Sequence, residues 1–114
     1  MNVFIKLIIK VFVNNQIKLF CIDNKIPIID IAHKNIENNI TLYCKENFNF
    51  LETVCAPTLL SAKILDGNLL LYYTFYYPKD FIDEKNINRL TEINNQFVSE
   101  DAVEIRQAIQ IPPY

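Results

Sequence analysis

A single glycine, Gly67, stands among the 114 residues, where average usage of about 7% would supply roughly eight. Loops that cradle phosphates, of the P-loop or dinucleotide-binding type, need two or three glycines so that backbone amides can approach the phosphate oxygens. The chain has no material for either. Arginine is nearly as scarce, with two residues against nine lysines. Formal net charge is −2, and residues 58–114 carry five basic side chains against eight acidic ones. Phosphate backbones are gripped by clustered Lys and Arg, so nucleic acid is not expected as the main ligand. His33 is the only histidine, which confines any imidazole chemistry to one position.

Cysteine is sparse and odd in number: Cys21, Cys44 and Cys55, all in apolar surroundings. Small secreted domains carry even, dense cysteine frameworks. The expectation is reduced, packed thiols in a reducing compartment, the host cytoplasm or a virion, without secretion through a signal peptide. The N-terminus is apolar, but Lys6 and Lys10 interrupt it and no apolar run there exceeds three residues. A signal peptide needs an apolar run of about 7–15 and a spanning helix about 20, so no membrane is expected.

What the chain does have is apolar and β-forming. Hydrophobic residues make up 51% of it, enough for one core, and 114 residues suit a single domain. We expect that domain over residues 1–110, with an extended tail at 111–114, because Pro112 and Pro113 cannot continue a helix. Isoleucine, asparagine and lysine together supply 41 residues. All three have A/T-rich codons, a composition associated with small phage proteins.

Residues 3–13 alternate, with Val3, Ile5, Leu7, Ile9, Val11 and Val13 on one face and Phe4, Lys6, Ile8, Lys10 and Phe12 on the other. Period two predicts a strand with one face buried and the other partly wet. Asn14-Asn15 tolerates the positive φ of a tight turn, and residues 17–22 resume the alternation. A second hairpin is predicted at 59–77 around Asp66-Gly67. Between the two, residues 35–46 read as a helix with Asp30 or Asn35 as cap, or as a strand at 40–45. Helical spacing follows Pro78, with Asp80 or Asp83 as cap and Ile87, Leu90, Ile93 or Asn94, and Phe97 on one face. Ser99 caps a further helix bearing Ala102, Ile105, Ala108 and Ile109. The fold class expected is therefore α+β: a mainly antiparallel sheet from two hairpins (3–22 and 59–77), the middle helix or strand, and one or two C-terminal helices over 83–109.

No catalytic constellation stands out. A Cys–His pair would have to use His33, and the cysteines fit core packing better. Zinc ligation by Cys21, His33, Cys44 and Cys55 lacks the close ligand pairs that known sites use. Glu37 and Glu46 lie nine residues apart and point in different directions on one helix. Asp80, Asp83 and Glu84 are of the type that holds a hard cation, but helix capping accounts for them. No cofactor, catalytic residue or metal ligand is assigned.

The order of elements over residues 3–98 is similar to that of the Nudix hydrolase domain. Laid on that family's box by its helix, Glu46 stands for one metal-binding carboxylate, with Cys44 and Phe50 at apolar positions. Ile28 and Asn49 replace required glycines, Lys34, Tyr43 and Asn47 replace glutamates, and Leu42 replaces the arginine. The resemblance implies a domain of similar shape whose metal site is lost.

The remaining signal is surface chemistry. Leu70, Tyr72, Thr74 and Tyr76 share one face of an aromatic strand, and tyrosine is enriched at protein interfaces. Phe4, Phe12 and Phe20 make both faces of the first hairpin apolar, and Pro112, Pro113 and Tyr114 form a tail suited to docking. Two-faced apolarity requires either three layers or a partner, and so short a chain favours the partner. The expected function is a non-catalytic interaction or assembly subunit, such as a small virion or connector protein of an A/T-rich phage, bound to a protein partner or to its own copies. The alternatives are a small enzyme acting on nucleotides or another phosphorylated ligand with a divalent metal at Glu37 and Glu46, and an inhibitor of a host protein.

Overall fold

The structure is a computed structural model that describes residues 1–32, 34–49, 56–93 and 100–113. Six strands form one mixed, mostly antiparallel sheet, with helices on both faces. Strand β1 (Val3–Val13) turns through Asn14 and Asn15, both at positive φ, into β2 (Gln16–Phe20). A second positive-φ pair, Asp23 and Asn24, makes a tight turn closed by the Ile22–Lys25 bridge and leads to β3 (Ile28–Asp30). Strands β2 and β3 are thus two halves of one antiparallel neighbour, pairing with the C-terminal and N-terminal parts of β1.

The middle segment is a helix, α1 (Ile36–Asn47), which settles the choice between helix and strand at 40–45. The Asn35 side chain caps it by accepting from the Glu37 N–H. The buried Asn39 accepts from the Ala32 N–H, fixing the approach to the helix. Strands β4 (Thr58–Leu65) and β5 (Asn68–Tyr76) form the second hairpin across Asp66-Gly67, both at positive φ. Strand β5 then lies parallel to β1 at the centre of the sheet, from Val3 opposite Leu69 to Lys10 opposite Tyr76. The two hairpins meet along this one parallel seam, which local pattern did not reveal.

The stretch after Pro78 corrects one expectation. The helix predicted through Leu90 and Ile93 ends after a single turn, α2 (Glu84–Ile87), preceded by a 3-10 turn at Lys79–Phe81. Residues Leu90–Glu92 form β6 instead, pairing with the open edge of β2. That edge supplies what helical spacing could not outweigh: the Cys21 N–H donates to the Arg89 carbonyl, and Lys18 faces Glu92 across the strands. The last helix, α3, covers Ala102–Ile109 with Asp101 as N-cap. Ser99, the predicted cap, as well as Asn94 and Phe97, lie outside the described residues.

The sheet separates two apolar clusters. On one face Ile5, Leu7, Ile9, Val11, Phe20, Tyr73, Phe75 and Tyr77 pack against Ile40, Cys44 and Phe48 of the α1 region. On the other, Ile8, Leu19, Cys21, Ile26, Leu70 and Tyr72 pack against Ile105 and Ala108 of α3. The molecule therefore has three layers, so helices of the chain itself cover the two apolar faces. Of the face of β1 expected to be partly wet, Phe12 is exposed, but Lys6, Ile8 and Lys10 are buried.

Candidate interaction surface

Helix α3 removes most of the predicted tyrosine-rich surface. Leu70, Tyr72 and Thr74 are buried, as is Phe20 in the opposite cluster. Phe4 is half-buried against the α3-side core. These five were expected at an exposed interface; α3 covers the face of Leu70, Tyr72 and Thr74, and the α1 side holds Phe20.

The other candidates remain accessible and are brought together. Phe12, 43% exposed on β1, stacks on Tyr76 of β5 with ring centroids 5.1 Å apart and planes 5° from parallel. The Tyr76 hydroxyl donates to the Ile111 carbonyl at 2.7 Å, tying the start of the tail to this stack. Pro112 and Pro113 are exposed and wall a cleft of about 350 Å³, together with Lys10, Thr58, Thr74 and Tyr76. Residues 12, 76, 112 and 113 thus converge at one end of the sheet, although they are far apart in the chain. Tyr114 lies outside the described residues.

Thr58 of this cleft also begins β4, an edge of the sheet. Three apolar side chains of β4 stand in the open: Leu59 at 53%, Ile64 at 66% and Leu65 at 38% exposure. Leu59, Ala62 and Ile64 oppose Tyr73, Leu71 and Leu69 of β5 and so project from the α1-side face. A register shift between Leu59 and Ser61 kinks the strand near its start. Lys63, the one charge on β4, leans over α3 and pairs with Glu104 at 3.0 Å. The opposite edge, β6, has three residues and carries Glu92. Natural sheets blunt their edges with short strands, charge and bulges; β6 is short and carries Glu92, whereas β4 runs for eight residues with Lys63 drawn toward α3 and one irregularity near its start.

Beneath α3 lies a polar network that sequence reasoning missed. The Lys6 Nζ donates to Asp101 Oδ1 at 2.8 Å and to Glu100 Oε1 at 3.0 Å. The Tyr72 hydroxyl donates to the same Asp101 oxygen at 2.6 Å. Burial pulls the Lys6 ammonium down, but the two carboxylates outweigh it and hold its pKa above the usual value. Burial and the Asp101 carboxylate push the Tyr72 phenol upward. The Lys10 Nζ donates to the Ala108 carbonyl at 2.8 Å and to the Ile111 carbonyl at 3.3 Å, with the Tyr76 ring centroid 3.9 Å away. Burial without a carboxylate partner lowers Lys10 to about 8. The legible signal was the spacing: two lysines four apart on one face of a strand also point to one helix lying above them.

Among the described residues, those weighed for chemistry do not assemble. Cys21 and Cys44 are buried on opposite faces of the sheet, so one metal cannot bind both. His33, Phe50 and Cys55 lie outside the described residues. Glu37 and Glu46 are exposed at the two ends of α1. Asp83 accepts from the buried Asn86 side chain at 2.7 Å, and that amide also donates to the Asn47 carbonyl, joining α2 to the end of α1. Among the described residues, no group of three His, Cys, Asp or Glu side chains could hold a metal ion. No described helix is long and apolar enough to cross a membrane. No protein-family model, curated protein or solved structure matches the chain.

Proposed function

We propose that the chain is a non-catalytic interaction or assembly subunit whose partner adds to the open edge of β4. One observation carries this reading: an eight-residue edge strand with Leu59, Ile64 and Leu65 exposed. An unpaired edge offers a row of backbone donors and acceptors, and an added strand supplies their partners while covering the apolar side chains. The Phe12–Tyr76 stack and the Pro112–Pro113 wall extend the same surface at the Thr58 end. A structural protein of an A/T-rich phage is the setting favoured by composition. An inhibitor of a host protein would use the same edge. An enzyme acting on nucleotides with a divalent ion has no observation in its favour, since Glu37 and Glu46 are exposed at opposite ends of α1.

The test is native mass, measured by sedimentation on protein purified from its own source and on the isolated chain at high concentration. The expected result is an oligomer or a complex of defined stoichiometry that Ile64→Lys disrupts while the circular dichroism spectrum is unchanged. A monodisperse monomer in both preparations, with nothing bound, overturns the proposal.

A further inference from the structure

Helix α3 is short, and lysines hold it at both ends and in the middle. It buries two apolar side chains, Ile105 and Ala108, and a third residue that is charged, Glu104. Eight helical residues span about 12 Å, and four strand residues about 13 Å. Lys6 and Lys10, four apart on one face of β1, therefore reach the two ends of the helix. Lys6 meets Asp101 and Glu100 at the N-terminus, and Lys10 meets the carbonyls of Ala108 and Ile111 at the C-terminus. An ammonium suits the negative end of a helix, and carboxylates shield the other end from the second ammonium. Lys63 holds the middle through Glu104.

Two details weaken this hold. Asp101 makes no capping hydrogen bond to its own helix, because its carboxylate is turned to Lys6 and Tyr72. Glu104 Oε2 is buried and has no hydrogen-bond partner among the described residues, so the carboxylate is satisfied there only through the Lys63 pair at Oε1. A helix of eight residues is also too short to persist alone in water. Taken off its lysines, α3 would unravel.

We propose that α3 is an ion-latched strap that opens as a unit while the sheet and α1 stay folded, uncovering Ile8, Leu70 and Tyr72. The clamp at Lys6 sets how often it opens. This device does not depend on the β4 reading, because it concerns the opposite face and requires no partner.

Hydrogen exchange on the full chain, followed residue by residue in increasing sub-denaturing urea, tests it. The backbone amides of Ile105, Gln110 and Ile111 are expected to exchange at least about tenfold faster than those of Leu7 and Phe75. Their rates should rise with urea, but less steeply than those of the seam amides, the mark of an opening that exposes only part of the surface that global unfolding does. Lys6→Met is expected to speed α3 exchange by about tenfold or more and leave the β1–β5 seam protected. If α3 and seam amides in the unmodified chain exchange together with one steep urea dependence, the proposal is overturned, whatever the variant does. It also fails if folded Lys6→Met leaves α3 exchange unchanged.

Discussion

Lys6 and Lys10 stand four residues apart on the same face of β1 and end on opposite termini of α3. Their environments differ in kind. Lys6 is met by two carboxylates, and Lys10 by backbone carbonyls and an aromatic ring. The same side chain in one layer thus contributes in opposite senses as pH changes.

For Lys10 the sign follows from burial. Its folded pKa, about 8, lies below the value of 10.5 that the unfolded chain has. Between these values the unfolded state binds more protons, so stability rises with pH. The burial cost is fully present below about pH 8 and is relieved above it. Between pH 8 and 9 the unmodified protein should gain stability relative to Lys10→Met, measured by urea denaturation of both. A flat difference over that window would show that Lys10 is not desolvated.

For Lys6 the folded pKa is raised, so its contribution is complete below the unfolded value and fades only at strongly alkaline pH. The carboxylate it serves is better tested through Tyr72. Tyr72→Phe removes the 2.6 Å hydrogen bond to Asp101 and leaves the ring in place. Hydrogen bonds to charged groups contribute about 1.5–3 kcal/mol, and a loss of that order is expected in chemical denaturation. An unchanged midpoint would mean that Asp101 is satisfied without the phenol.

Gly67 sits at φ +78° with nothing within 4 Å of where a Cβ would be. Space is therefore not the obstacle, and the left-handed backbone is. Gly67→Val should cost about 1–2 kcal/mol from that strain, while Gly67→Asn should cost clearly less, since asparagine visits this region. Equal losses from both variants would point to some other role for the position.

On β4, Ile64→Lys replaces a side chain that is 66% exposed. Substitutions at such surfaces usually stay within about 0.5 kcal/mol, so the isolated chain should keep its thermal midpoint. A large drop in that midpoint would show that Ile64 already packs against something within the molecule.

The hairpins, the helix class of α3 and the role of Gly67 were legible because each rests on contacts a few residues apart. Asn14-Asn15 and Asp66-Gly67 carry their turns in their own chemistry. Three features were not legible, and each depends on distant partners. The parallel seam joins Ile5 to Leu71, a pairing that no local period encodes. Leu90 kept its helical spacing yet went to the edge of β2, where free backbone groups awaited it. Lys6 and Lys10 read as solvent-facing until α3 supplied carboxylates and carbonyls above them. Of the candidate surface, Phe12, Tyr76, Pro112 and Pro113 were found from sequence, but β4 was hidden, since an edge strand and a central one share the same alternation.

The parallel seam also governs how the chain reaches this state. Residues 3–10 must find residues 69–76 for the central pair to form, so the first hairpin gains its main neighbour only after a long loop closes. Such non-local pairing slows folding. During synthesis the first hairpin would leave the ribosome with Ile5, Ile8 and Ile9 unprotected, and α3 would follow only after both hairpins. The interval before residue 109 emerges is when this protein is most prone to aggregate.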